Sequence, residues 1–502
     1  MKWKVVGNLY VLKIRLIASS FFFYYFLLVI ILISYTANGQ SSFSNHYYFP
    51  NKFISSQSIL QNNDGTYLLV GMADTSVAGA AGSQSGILKK LDSNGNLLWS
   101  QYYNFPNAYN LSFNKIKKTL DGNYVVVGVI DYGFGVGPTF QDVFFAKLDT
   151  LGNILWMKNY GGIGTDIGFD VKELSNGDFL IQSSFGVLVI QNVFNAFQLI
   201  KTNAFGDSIW TQPYYHFDGI EQFPLAADQT SDQGFCSVGM KLTGNSETVG
   251  YIVKTDSLGV EQWNLVIDSA INNELIGVTA GTNTFTVFGN RNIGTVEEPF
   301  LAELDLVGNV NWIKTINEPN VHLSSVTKTY DNGYALTGVE MLGATSKVIL
   351  IKVDNLGNKL WKKSFPQLNI DMPSDIKQTL DSGYIITGNT YDNSSLSYYI
   401  FALKTDDSLI VTSVPTESFA SNIAVFPNPV HQLLELKMND VDISTIQSMM
   451  ITDVLGNEIM VATHNNLLNK TIDVSSIKSG LYFLQLTFVN KQEPELIKFV
   501  KL

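Results

Sequence analysis

Between residues 110 and 160 the apolar positions fall into short runs, each bounded by turn residues. Ile116 to Leu120 alternates apolar with polar, and Asp121-Gly122 behind it is a hairpin signal. Tyr124-Val125-Val126-Val127-Gly128-Val129 reads as a second strand, followed by a Gly-rich loop over Asp131 to Thr139. Val143 to Leu148 is a third strand, Asp149 to Asn153 a turn, and Ile154 to Asn159, carrying Trp156, a fourth.

That pattern recurs along most of the chain. Asp and Trp stand seven residues apart in Asp92/Trp99, Asp149/Trp156, Asp256/Trp263, Asp305/Trp312 and Asp354/Trp361, and Asn203 replaces the Asp before Trp210. A further copy, Lys404-Thr405-Asp406, begins but reaches no Trp. A second marker precedes each first one: a turn such as Asp121-Gly122, then an aromatic. The aromatics are Tyr67, Tyr124, Phe179, Phe235, Phe285, Tyr334 and Tyr384, spaced 49 to 57 residues apart. Seven units of four short antiparallel strands predict an all-β, seven-bladed β-propeller. The repeated Gly and Asp suit turns, and each Trp is expected to bury a large face between blades, at about 2–3 kcal/mol or more by area. Shared residues of this kind define a fold rather than an active site.

The incomplete last copy predicts how the ring shuts. Phe43-Ser44-Asn45-His46-Tyr47-Tyr48-Phe49-Pro50 aligns with Trp99-Ser100-Gln101-Tyr102-Tyr103-Asn104-Phe105-Pro106, which puts Phe43 in the Trp slot. The N-terminal segment is therefore expected to supply the missing fourth strand of the last blade and so remove a pair of open edges.

Composition narrows the function classes. With 502 residues, 45% hydrophobic and 15% charged, the chain can bury more than one core. A net charge of −12 argues against nucleic acid. Only Arg15 and Arg291 occur, so a bidentate grip on planar anions is scarce, and the lone Cys236 forms neither a disulfide framework nor a thiolate cage.

The two ends differ from the repeats. Lys2, Lys4, Lys13 and Arg15 precede an uncharged apolar run from Leu16 to Tyr35, and Ala37-Asn38-Gly39 follows it. This reads as a secretory signal peptide over 1–39 with Gln40 as the new N-terminus; an uncleaved anchor is the alternative. Residues 40–410 are then the propeller, and 411–421, polar with Pro415, a linker. Residues 422–502 form a small domain of alternating strands, seen most clearly in Tyr482/Leu484/Leu486/Phe488.

Two resemblances sit on these motifs. The Lys-x-Asp-x-x-Gly-Asn-x-x-Trp signature of 147–156, with Tyr160-Gly161-Gly162 after it, resembles the Asp/Gly/Trp-rich propeller repeats of large secreted bacterial proteins. Sialidase Asp-boxes share an Asp-x-x-Gly turn before a Trp, but those enzymes clamp a carboxylate with three arginines. Quinoprotein propellers place one more residue between Asp and Trp, and their cofactor site finds no counterpart here. Four tail features resemble the type A C-terminal sorting domain of the type IX, or Por, secretion system. They are Phe426-Pro427-Asn428-Pro429; Asp453-Val454-Leu455-Gly456; Ile472-Asp473-Val474-Ser475 leading into Ser479-Gly480-Leu481-Tyr482; and the ending Lys498-Phe499-Val500-Lys501-Leu502. The resemblance implies an immunoglobulin-like sandwich that hands a periplasmic cargo to the type IX machinery, for release or attachment at the cell surface.

No catalytic constellation is legible. His46, His216, His322, His431 and His464 show no metal-ligand spacing, and Asp92-Ser93-Asn94-Gly95-Asn96 lacks the ligand pattern of a calcium loop and reads as a turn. Glu297-Glu298 and Asp406-Asp407 read as solvated charges. No catalytic, metal or cofactor residue is assigned. Binding is expected in the variable loops Met72 to Gly86, Ile130 to Gln141 and Arg291 to Glu298, towards a glycan or a protein. The reading is an exported, non-enzymatic binding protein. The alternative is a polysaccharide hydrolase or lyase whose acidic residues meet at the central channel.

Overall fold

The computed structural model describes residues 42–406 except 49–52, 75–83, 107, 133–140, 163, 190–191, 217–219, 246, 268–271, 343–344, 366–369 and 393–396. Further on it describes 423–426, 430–438, 445–453, 458–462, 470–488 and 495–501. The expected signal peptide over 1–39, the linker over 411–421, the bulk of the first two variable loops, Pro427-Asn428-Pro429 and Gly456 lie outside the described residues. The chain divides into two compact units, Met1–Val414 and Pro415–Leu502.

The first unit is all-β. Its strands form five four-stranded antiparallel sheets and one eight-stranded sheet, the latter being two four-strand runs joined where Gln84 pairs in parallel with Asn110. In chain order the first run spans 54–103, the second 110–160, the third 168–214, the fourth 222–267, the fifth 274–315 and the sixth 321–365. The last run consists of Ile370–Gln378, Tyr384–Asp392, Ser397–Thr405 and, as its outermost strand, Phe43–Tyr48. These are propeller-like blades. The first strand of each run contacts the first strand of the next, and Ile370–Gln378 of the last run contacts Ile54–Gln61 of the first.

The second run shows how sequence makes such a sheet. Asn110–Lys118, Tyr124–Asp131, Gln141–Leu148 and Ile154–Tyr160 pair in order. The first strand begins earlier than the alternation predicts and stops before Leu120. That residue is exposed in the turn, where Gly122 N–H donates to Thr119 O at 2.9 Å. Gly128 is needed for close approach: a Cβ there would stand 1.9 Å from Ser112 O on the neighbouring strand.

The two repeated markers meet across neighbouring runs. Trp156 packs on Phe179 of the next run (ring centroids 6.3 Å), Trp210 on Phe235 (5.9 Å), Trp263 on Phe285 (6.1 Å) and Trp361 on Tyr384 (6.2 Å). Phe43 makes the same contact with Tyr67, from the last run to the first, at 5.8 Å. It pairs in register with Lys404, as Trp99, Trp156, Trp210, Trp263 and Trp361 pair with a Lys; Trp312 pairs with Glu303. Each of these lysines except Lys90 also bridges to the hairpin Asp of its own run, as in Lys147–Asp121 at 2.7 Å and Lys254–Asp232 at 2.8 Å.

A tyrosine four residues after the Trp slot latches onto the following turn. Tyr103 donates to Gly152 O at 2.6 Å, Tyr214 to Gly259 O at 2.8 Å, and Tyr47, four after Phe43, to Gly95 O at 2.6 Å. Gly259 has φ of +81°, and a Cβ would lie 2.9 Å from the Trp210 ring. Gly259→Ala is therefore expected to cost about 2–3 kcal/mol, from left-handed strain plus displacement of Trp210. Gly122→Ala, at φ of +83° with nothing within 4 Å, should cost only about 1 kcal/mol. Urea midpoints of the two variants check the difference.

The second unit has a three-stranded sheet of Ile423–Phe426, Leu433–Met438 and Thr471–Asp473. A four-stranded sheet runs in the order Glu458–Ala462, Ile446–Asp453, Gly480–Phe488, Glu495–Lys501. Its core holds Leu434, Met449, Ile451, Leu484, Leu486 and Phe499, and the alternation of Tyr482, Leu484, Leu486 and Phe488 is buried throughout. The strand Glu458–Ala462 was not legible in the sequence; it is an edge strand with Ile459 and Val461 exposed. Among the described residues no helix is long and apolar enough to cross a membrane.

Candidate functional site

Every first strand carries a β-bulge at the same place. Register slips past Gln57, Asn114, Phe169, Leu225, Ile276, Ser324 and Ser374, and a bulge re-aims the side chains beside it. All seven residues line one central cavity of about 820 Å³. The aliphatic residue two positions on from each bulge, such as Ile116, Val171 or Ile376, marks the side packed between runs. In these three runs the positions on either side of it carry Lys115 and Lys117, Asp170 and Lys172, and Asp375 and Lys377.

Among the charged residues lining the cavity, lysine predominates. Lys115, Lys117, Lys118, Lys172, Lys328 and Lys377 line the cavity, with Asp170, Glu173 and Asp228 the acidic residues among them. Asp375, fully buried beneath, is shared by four of the seven runs. Its carboxylate accepts from Ser58 Oγ at 2.6 Å, Ser325 Oγ at 3.1 Å, Lys115 Nζ at 3.2 Å and Lys377 Nζ at 2.6 Å. Burial pushes this carboxyl up, but Lys115 and Lys377 outweigh it and hold it far below the usual range. Lys377 is itself lowered to about 8, by burial first and then by crowding from Lys115 and Lys117 against the pull of Asp375. Lys117 lies 3.6 Å from Asp170, and Lys172 pairs with Asp228.

The hydrolase expectation needed free carboxylates in this channel. The channel carboxylates Asp170, Asp228 and Asp375 each have a lysine partner, and Glu173 accepts the Leu120 amide of the neighbouring run at 2.6 Å. Burial raises Glu173 in the channel and, outside it, Asp142 and Asp166, the latter capped by the Gly162 and Gly186 amides. Asp371, fully buried, is pushed up to about 7 by burial, which outweighs its hydrogen bond from Thr390. A raised acid keeps its proton in the folded chain after the unfolded chain has lost it. Stability from this group is thus full below about pH 4 and declines as pH rises towards about 7. Asp371→Asn is expected to flatten that decline, so that its advantage over the wild type is larger at pH 8 than at pH 4 by roughly 2–4 kcal/mol. Paired denaturation curves at the two pH values read it.

The other candidate residues are scattered. The loop expected over Arg291 to Glu298 is a tight hairpin, with Arg291 paired to Glu298 and Ile293 to Val296, because Gly294 takes φ of +67° in a two-residue turn. Its Arg291 stacks on Phe300. Glu297, expected to be solvated, holds His322 Nδ1 at 2.8 Å and raises that imidazole. Asp92 is a self-satisfied turn that accepts the Asn94 and Asn96 amides at 2.9 and 2.8 Å. Among the described residues no group of three or more His, Cys, Asp or Glu could hold a metal. Cys236 is buried, which pushes its thiol up.

In the second unit the described sorting-motif residues fall in two sheets: Phe426 and Ile472-Asp473 in the three-stranded one, and Asp453, Gly480, Tyr482 and Lys498 in one ladder of the other. Asp453 pairs with Tyr482, Tyr482 with Phe499, Phe483 with Lys498 and Gly480 with Lys501. Tyr482 stacks on Phe499 at 5.9 Å and donates to Lys478 O at 2.9 Å.

Comparison with known proteins bears on this second unit. Residues 424–500 match the model of the secretion system C-terminal sorting domain. No curated protein matches the chain. Among solved structures, a protein of unknown function from Bacteroides caccae aligns at 11% identity and TM-score 0.36, over 59% of this chain and 93% of that one. Sqt1 from Chaetomium thermophilum aligns at 11% and 0.38, over 74% and 99%. Prolyl oligopeptidase B from Galerina marginata aligns at 9% and 0.43, over 90% of this chain but 56% of that one. Likenesses this weak assign neither activity nor ligand.

Proposed function

We propose that this chain is an exported, non-catalytic binding protein. On this reading residues 1–39 are a signal peptide. Residues 40–410 are a seven-bladed propeller closed by the N-terminal strand, and 422–502 an immunoglobulin-like sandwich that brings the cargo to the type IX machinery. The observation that carries it is the sorting-domain match over 424–500, because that domain addresses its cargo to the outside of the outer membrane. Closure is supported by repetition of one interface: Leu380 N–H donates to Gln61 Oε1 at 2.8 Å from last run to first, as Tyr330 N–H donates to Gln378 at 2.7 Å from sixth to last. Trp99, Trp156, Trp210, Trp263, Trp312, Trp361 and Phe43 are the fold-defining residues. A binding role, rather than hydrolysis, is favoured by channel carboxylates already engaged in ion pairs or hydrogen bonds.

Grafting residues 422–502 onto an inert periplasmic reporter, in a cell with an active type IX system, tests the export reading. The reporter is expected outside the cell. A reporter held in the periplasm contradicts it.

A further inference from the structure

The channel is basic inside a chain whose net charge is −12, and we infer that it is the ligand site and takes a compact polyanion bearing phosphate or sulfate groups. Six lysines from four of the seven runs face a space of about 820 Å³, within the range of small-ligand sites. Four carboxylates stand against them, so the lysines are in excess, and Lys118 and Lys328 have no ion pair among the described residues. Lys117 and Lys172 line the space and keep 38% and 42% of their side chains exposed while paired with Asp170 and Asp228. Lys377 is already crowded by Lys115 and Lys117, and an anion among them relieves that repulsion.

The donor type selects the anion. No guanidinium fork lines the channel, so planar bidentate recognition of a carboxylate has no partner there. Ammonium groups act as point charges from several directions, which suits a tetrahedral oxyanion. Hydroxyl and amide side chains beside them, Asn114, Ser324 and Ser374 at the bulges and Thr279 beyond, offer further donors. This deepens the binding reading of the ring and rests on it.

Isothermal titration of the full chain with inorganic tripolyphosphate and, separately, with sucrose octasulfate provides the test. One saturable site is expected, weakening steeply as salt is raised. Preference for tripolyphosphate identifies a phosphate ligand; preference for the octasulfate identifies a sulfated sugar. Lys117→Gln combined with Lys328→Gln should weaken binding about tenfold. Lys363→Gln, on an outer strand, should leave it unchanged. If the double variant does not fold, Lys118→Gln alone should weaken binding by about threefold. No saturable binding by the folded wild-type chain, or equal affinity in the channel variants, overturns the assignment. Because titration and reporter export are independent, failure of one is distinguishable from failure of the other.

Discussion

Replacing Asp375 with alanine is expected to remove about 3–5 kcal/mol of stability, among the largest losses available to a single substitution in the first unit. The carboxylate is fully buried and serves Lys115 and Lys377 together with the hydroxyls of Ser58 and Ser325. Removing it leaves two partly buried ammonium groups facing each other and two hydroxyls without an acceptor. The sign with pH follows from the direction of the shift. The folded carboxyl is held below its unfolded value, so its contribution is present above the ordinary carboxylate range and is lost as pH falls. The variant should therefore lie furthest below the wild type near neutral pH and approach it in acid. Lys115→Met should cost less, since Lys377 still neutralises Asp375, and the two substitutions together should be non-additive. Chemical denaturation at two pH values measures all of this.

Phe43→Ala is expected to cost a similar amount, about 3–5 kcal/mol. Phe43 is 3% exposed and lies in one core with Ile54, Ile59, Tyr67, Leu69, Ile87, Ile385 and Ile400, which belong to the first and last runs. It seals the turn at Gly95, where a Cβ would stand 2.5 Å from its ring, and Asn45 and Tyr47 both hold the Gly95 carbonyl. If the N-terminal strand occupies the slot of the missing Trp, the loss should match that of Trp210→Ala. A loss below about 1 kcal/mol would mean that the strand is dispensable and the ring is held elsewhere.

Much of the fold could be read from the chain because a repeat multiplies every weak signal. One Asp-Gly turn or one Trp means little; recurrence in register sets strand count and order. What could not be read was what the markers do to one another. The pairing of Trp156 with Phe179, or of Lys147 with Asp121, joins positions that only a folded sheet brings together. A lysine two residues before the turn Asp or Asn in six of the seven copies, Glu303 being the exception, was a visible signal for the second of these. The channel was harder still. Lys117, Lys172 and Lys377 stand three residues past the bulge of their runs, but Leu60, Asp228, Thr279 and Thr327 hold that position in the other four, and Asp375 resembles any strand-edge acid until Ser58, Lys115 and Ser325 converge on it. By composition, binding is expected in the loops that vary between units. The convergent charges instead lie on the innermost strands, the one place where every unit meets. The sorting tail was legible because its motifs are local and ordered along the chain; the edge strand Glu458–Ala462 was not, having few buried apolar positions to announce it.

The most direct test of the account is the fate of the chain without residues 422–502. In a cell with an active type IX system, the intact protein should be found in the medium or at the cell surface, and the truncated chain should accumulate folded in the periplasm. Truncated protein appearing outside in the same amount would contradict the central claim that the C-terminal unit directs the first unit across the outer membrane.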